Sequence, residues 1–295
     1  MSPRDWRPPA ALAALILIWG YSWVAMKVGL RYSHPLDFAA LRTGLGAALL
    51  FAIVLLRGGS PALASHRMAL LLGLLQVGLF VVLSNYALML TGTGRTSVLV
   101  YTMPFWMIVF AHAILHERMR GAQWIAVALA FAGLVLIVSP WRLSSLGGSL
   151  LAVLAGALWA FCAVLSKRWP TRADPMVFTA WQVLYGFLAL ALIAAVHPHD
   201  GVRWTAEFGA ALFFSAVLGV AMGWWLWTYV LSRSQAGIAG LNTLGIPVVA
   251  VLSSAWQLGE RPPPIEIVGM ALVGTALLLL AALGLRRPRP QMPRS

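Results

Sequence analysis

Trp19, Trp23 and Lys27 recur at intervals of four residues, so a helix would carry two indole rings and an ammonium group on one face. Such a stripe either walls a cavity for an aromatic or anionic solute, or faces lipid with the lysine snorkelling toward the headgroups. Trp159 and Lys167 repeat part of the pattern later in the chain, which favours a role shared by two halves. Gln76, Asn85 and Tyr86 place two amides and a phenol inside one apolar run. Uncharged polar groups at membrane depth need partners, supplied either by a neighbouring helix or by a bound solute. Tyr101 lies just ahead of Pro104, and Asn242 just ahead of Pro247. Each proline sits in an apolar segment and frees the carbonyl four residues earlier, on Val100 and Thr243, from a helical bond. Those carbonyls either meet an ammonium group beside a cavity or only shape a kink. The candidate substrate-binding residues are therefore Trp19, Trp23, Gln76, Asn85, Tyr86, Tyr101, Trp159 and Asn242, with Pro104 and Pro247 as candidate hinges.

Other chemistries find little support. There is no phosphate-binding glycine loop followed by lysine, no metal-ligand spacing and no nucleophile–base pair, so no enzyme, cofactor or metal is expected. Cys162 is the one cysteine and lies in an apolar run. No Asp or Glu stands in the middle of an apolar segment, which argues against a carboxylate relay and for facilitated or weakly coupled movement of solute. Arg42 is the exception among cations: it lies inside a segment, and either snorkels to the interface or meets a carboxylate or a helix dipole. Glu117-Arg118 and Glu260-Arg261 end their segments and read as interfacial ion pairs and helix stops.

The elements that must position these residues are membrane helices. Of 295 residues, 61% are hydrophobic and 10% charged, against about 25% charged in a soluble domain. That much apolar surface calls for lipid as solvent. Apolar runs at 10–30, 36–56, 68–90, 96–115, 121–139, 147–167, 176–196, 209–231, 236–258 and 264–284 each approach the roughly 20 residues that cross a bilayer. The first is expected to be a span and not a cleaved signal, because no small-residue cleavage site follows it. The longest connection, 197–209, is the candidate surface helix, and the tail from 285 to 295 is basic and Pro-rich. The net charge of +13 resides in short breaks between runs, so it reflects topology and not nucleic-acid binding. With both termini placed in the cytoplasm, 14 of the 21 Lys and Arg residues fall on that side, the bias expected of a plasma-membrane protein. Trp6, Trp124, Trp141, Trp169, Trp204 and Trp256 fall near segment ends, where indole rings anchor at headgroup level.

The chain repeats itself. At an offset of 140, Trp19 matches Trp159, Lys27 Lys167, Pro35 Pro175, Phe38 Phe178, Arg42 Gln182 and Gly46 Gly186. After a connection three residues longer the offset becomes 143, and Tyr86 matches Tyr229, Pro104 Pro247 and Glu117 Glu260. Five spans per half is an odd number, so the second half must insert upside down. The expected fold is an all-α integral membrane protein of ten transmembrane helices, built as two inverted five-helix repeats over 10–139 and 147–284. That architecture places a binding site at the midplane between the halves and suits alternating access. The expected partners are a small-molecule substrate and the lipid bilayer; the sequence leaves the oligomeric state open, a monomer being compatible with it.

The segments ILIWGYSWVAMK, YTMP…HERM and GIPVVAV…LGERP, with a glycine-bearing last helix in each half, resemble the EamA repeats of the drug/metabolite transporter superfamily. The resemblance runs from about residue 10 to 284. Within that superfamily the chain is similar to bacterial inner-membrane exporters of amino acids and metabolites, including the YddG-type exporters of aromatic amino acids. The resemblance implies a cavity walled by spans 1, 3, 4, 6, 8 and 9, with spans 5 and 10 as scaffold. Four-helix relatives that exchange protons carry a glutamate in the first span; this chain has none there. The leading expectation is an exporter of amino acids, aromatic or broad in range. The alternatives are an exporter or permease of another metabolite or drug, a membrane lipid-handling protein or enzyme, and a channel-like or sensory scaffold.

Overall fold

The computed structural model describes residues 7–116, 121–138, 146–169, 173–196, 201–233 and 245–285, and every regular element among them is helical. We label α1 (Arg7–Gly29), α2 (Pro35–Leu56), α3 (Arg67–Leu90), α4 (Thr93–Val100 and Met103–Leu115), α5 (Gly121–Val138) and α6 (Leu146–Arg168). They are followed by α7 (Pro175–Val196), α8 (Ala206–Phe213, Phe214–Met222 and Gly223–Arg233), α9 (Gly245–Leu258) and α10 (Pro264–Leu285). Seven helices among the described residues are long and apolar enough to cross a membrane.

Local sequence explains where helices start and stop. Asp174 Oδ1 accepts the amides of Met176 at 2.8 Å and Val177 at 3.1 Å, with Pro175 in the first helical turn of α7. At the matching start of α2, His34 Nδ1 accepts the Leu36 amide, again ahead of a proline. Thr205 caps α8 through the Phe208 amide at 3.1 Å. Of the candidate surface helix across 197–209, residues 197–200 lie outside the described residues, 201–205 are not helical, and 206–209 belong to the start of α8. At the far ends, His116 after α4 and Gly259 after α9 both adopt left-handed backbone, with φ of 53° and 68°. Each left-handed residue immediately precedes a Glu-Arg pair, which accounts for the repeated helix stop read in the sequence.

Two departures from regular α-helix were not legible in the hydrophobic pattern. A π-helical stretch occupies Gly73–Leu79 in α3, and a second occupies Phe214–Met222 in α8. The two stretches overlap at the offset of 143 residues. π-Helical insertions are rare and concentrate at functional positions.

Packing pairs helices across the two halves of the chain. α5 lies along α10 and α2 along α7. α3 packs on α6 and α8 on α1; α4 packs on α6 and α9 on α1. The π stretch of α3 lies on α7, and that of α8 on α2. Small residues allow the close approach. A Cβ added to Gly186 would stand 2.5 Å from Val77 Cβ, and one added to Gly46 would overlap Val220. The largest buried cluster includes Trp23, Phe38, Leu99, Tyr101, Phe105, Phe208 and Ile246. Leucines such as Leu17, Leu56, Leu192 and Leu278 are exposed on the outside, as lipid-facing surfaces require. Trp124, Trp169, Trp204 and Trp256 are exposed near helix ends; Trp6 and Trp141 lie outside the described residues.

Candidate functional site

Four of the sequence-selected residues gather around one cluster. Trp23 and Tyr101 are buried in it, their rings edge to face with centroids 6.4 Å apart. Trp19 and Trp159 are half-buried and pack against the same cluster. Trp19 also leans on α8: its Nε1 donates to the Gly219 carbonyl at 3.0 Å, and its ring lies 6.1 Å from those of Trp224 and Trp227. The α1 stripe therefore faces protein on α4 and α8.

The polar candidates of α3 separate. Asn85 is fully buried and donates through Nδ2 to the Pro35 carbonyl at 3.1 Å, tying α3 to the start of α2. Tyr86 is half-buried, with its ring 6.2 Å from that of His34. Gln76, in the π stretch, accepts Gln182 Nε2 at 2.8 Å and joins α3 to α7. Gln182 was not among the candidates, although it matches Arg42 in the repeat. Asn242 lies outside the described residues.

Charged side chains join several helices at one end of the bundle. Lys27 Nζ donates to the carbonyls of Leu88 and of Thr91, the latter at 2.9 Å, satisfying the C-terminal end of α3. The Glu260 carboxylate accepts the Thr93 amide at 2.6 Å, the Thr93 hydroxyl at 3.3 Å and the Gly94 amide at 3.4 Å. It supplies the side-chain cap that Gly92, at the N-cap of α4, cannot. Lys27 lies within electrostatic range of Glu260. The left-handed Gly259 turns the chain after α9 and presents this carboxylate. At the same end Arg203 donates to the Arg31 carbonyl at 2.6 Å, and Tyr32 hydrogen-bonds Glu207. That bond to a carboxylate raises the Tyr32 phenol above its ordinary value.

Pro104 acts at a helix boundary. α4 breaks at Tyr101–Thr102, and Pro104 lies in the first turn of the second piece. The freed Val100 carbonyl packs over α6, where a Cβ on Gly156 would come within 2.5 Å of it. It therefore contacts a neighbouring helix backbone, as a packing kink requires. Pro247 is buried in α9; residues 234–244, Thr243 among them, lie outside the described residues. Glu117 and Arg118 also lie outside them.

Arg42 does not snorkel. Its Nη1 turns to the Met26 thioether on α1, and its Nε is sealed from solvent without a hydrogen-bond partner. A groove of about 570 Å³ between α2 and α8 is lined by apolar side chains including Leu45, Leu49, Leu212 and Phe213. A second, much smaller space lies between Thr102, Phe105 and Phe131. None of the sequence-selected residues lines either. No three His, Cys, Asp or Glu side chains gather as a metal site among the described residues.

The halves of this arrangement correspond to a known repeat. The pattern of the EamA-like transporter family matches residues 9–139 and again residues 146–282. The chain belongs to the EamA-like transporter family. It is 30% identical to the uncharacterized transporter YoaV of Bacillus subtilis, over 89% of this chain and 92% of that one. It is 26% identical to the uncharacterized inner membrane transporter YedA of Escherichia coli, over 92% and 89%. It is 27% identical to a probable amino-acid metabolite efflux pump of Escherichia coli, over 92% and 94%. A crystal structure at 20% identity superposes with a TM-score of 0.72, covering 95% of this chain and 98% of that one. As an EamA-like chain it is a multi-pass membrane transporter with two family repeats, and a transporter rather than an enzyme.

Proposed function

We propose that this EamA-like transporter is a secondary exporter of small metabolites in the inner membrane, with amino acids, aromatic or broad in range, as the favoured class. Its two halves are read as inverted five-helix repeats, ten spans in all, working by alternating access around a midplane site. The observation that carries this reading is a pair of matched contacts. Gly46 seats Val220, and Gly186 seats Val77; the two glycines match at one repeat offset and the two valines at the other. A pseudo-two-fold axis in the membrane plane relates such contacts. On this reading both termini are cytoplasmic and Lys27, Thr93 and Glu260 close the outer end. Lys167 and Glu117, their matching residues, would act at the inner end. The cluster around Trp19, Trp23, Tyr101 and Trp159 is the proposed wall for the apolar part of the solute. The amino-acid assignment is supported by the relative named as a probable amino-acid metabolite efflux pump.

The test is counterflow in proteoliposomes with labelled amino acids, sugars and nucleosides. Saturable exchange of amino acids, strongest for aromatic ones, is expected. Exchange confined to sugars or nucleosides would overturn the substrate class.

A further inference from the structure

We propose that Arg42 and Ser215 form an anion site that receives the carboxylate of the transported solute. The amino-acid reading enters only in naming that solute.

Arg42 stands about one turn from the middle of α2, where an unpaired guanidinium is strongly disfavoured in a bilayer and marks a functional position. Its Nη1 meets the Met26 sulfur, a weak acceptor, and its Nε has no partner among the described residues. Ser215, at the start of the π stretch of α8, is 1% exposed, and its Oγ also lacks a partner. Two buried donors on facing helices are thus unsatisfied. Buried donors without acceptors are uncommon in folded proteins.

The repeat explains why an acceptor is missing here. At the position matching Arg42, Gln182 donates to Gln76 at 2.8 Å, and the pair is complete. The residue matching Gln76 is Gly219, which has no side chain to offer. Ser22 of α1 packs closely there, with its Oγ 3.0 Å from where a Cβ would stand. Ser22 is one turn from Met26 on α1, and Gly219 one turn from Ser215 on α8. The Trp19 indole bonds the Gly219 carbonyl on the same side. The seating of Gly46 on Val220 fixes α2 against this stretch. Where one half joins its helices with a neutral amide pair, the other offers a guanidinium and a hydroxyl with no matching acceptor. A planar carboxylate accepts from both donors, and the guanidinium suits it geometrically.

The experiment titrates the purified full-length chain in detergent by tryptophan fluorescence, with phenylacetate and with its uncharged analogue phenylacetamide. Phenylacetate should bind saturably to the unaltered chain. Arg42→Gln should weaken it ~10-fold or more, the scale of a charge-assisted bond, and leave phenylacetamide unchanged. Arg42→Lys should retain part of the affinity, and Ser215→Ala should lose a smaller part. Arg42→Gln should melt no lower than the unaltered chain, because an unpaired charge is removed; a purely structural arginine predicts a fall. Phenylacetate binding that is absent from the unaltered chain, equally tight in Arg42→Gln, or weakened together with phenylacetamide overturns the site. Thermal stabilisation by phosphatidylglycerol that needs Arg42, without any phenylacetate effect, assigns the anion to a lipid headgroup and also overturns it. Arg42-dependent phenylacetate binding without amino-acid flux in liposomes would keep the site and reject the amino-acid reading. Amino-acid flux with an unchanged KM in Arg42→Gln would reject the site and keep that reading.

Discussion

The Glu260 carboxylate accepts the Thr93 amide at 2.6 Å, so a residue following α9 caps a helix 167 residues earlier in the chain. Gly92 has no side chain to do this itself, and Lys27 holds the adjacent end of α3 by its carbonyls. The end of the bundle is joined by groups from three separate helices and loops.

Replacing Glu260 with Gln should cost less than replacing it with Ala, since an amide oxygen still caps. The Ala change removes a cap worth about 0.5–2 kcal/mol. A lowered melting temperature for Glu260→Ala, intermediate for Glu260→Gln, is expected in detergent. Lys27→Met should be non-additive with Glu260→Ala, because the two charges share one site. Strict additivity of the two melting shifts would separate Lys27 from Glu260.

The matched glycine seats make a reciprocal prediction. Gly46→Ala overlaps Val220, and Gly186→Ala overlaps Val77. Each overpacking should destabilise by about 1–3 kcal/mol. Val220→Ala should rescue Gly46→Ala but not Gly186→Ala, and Val77→Ala the reverse. Thermal melts of the four double variants check it; rescue without regard to pairing would contradict the contacts.

Gly156→Ala meets a carbonyl, Val100 O at 2.5 Å, which no side-chain trimming can relieve. It should therefore reduce folded yield more than Gly46→Ala does. Pro104→Ala and Pro247→Ala should leave insertion and folding intact and slow transport, most strongly together. Unchanged initial counterflow rates in the double variant would remove both prolines from the moving parts.

The absence of Asp and Glu from the middle of the apolar segments predicts how flux responds to protons. A pH gradient imposed on proteoliposomes should not drive concentrative uptake of an amino acid that exchanges in counterflow. Accumulation that collapses with a protonophore would establish coupling, and would direct attention to Glu260 and Glu207, near helix ends.

Much of the molecule was legible before any coordinates. Among the described residues, hydrophobic run length placed helix ends to within a few residues, because a bilayer admits few other ways to satisfy a backbone; residues 236–244 of the expected span 236–258 lie outside them. The repeated prolines and Glu-Arg pairs marked real features: a break in α4 ahead of Pro104, and left-handed stops at His116 and Gly259. Composition and the repeat led to a membrane transporter, and the family match agrees.

Partner choice was not legible. Gln76 and Asn85 were equally eligible for solute or helix, and tertiary packing gave them Gln182 and Pro35. Arg42 was open between the interface and a carboxylate or helix dipole, and only the juxtaposition of α1 and α2 turned it toward Met26. The π stretches resist prediction because they preserve the apolar pattern while changing the register of hydrogen bonds. Length, hydropathy and repeat spacing are properties of the chain taken one residue after another. Which buried donor meets which acceptor depends on groups brought together from 16 to 106 residues apart, and that was decided by the packing of helices within and between the two halves.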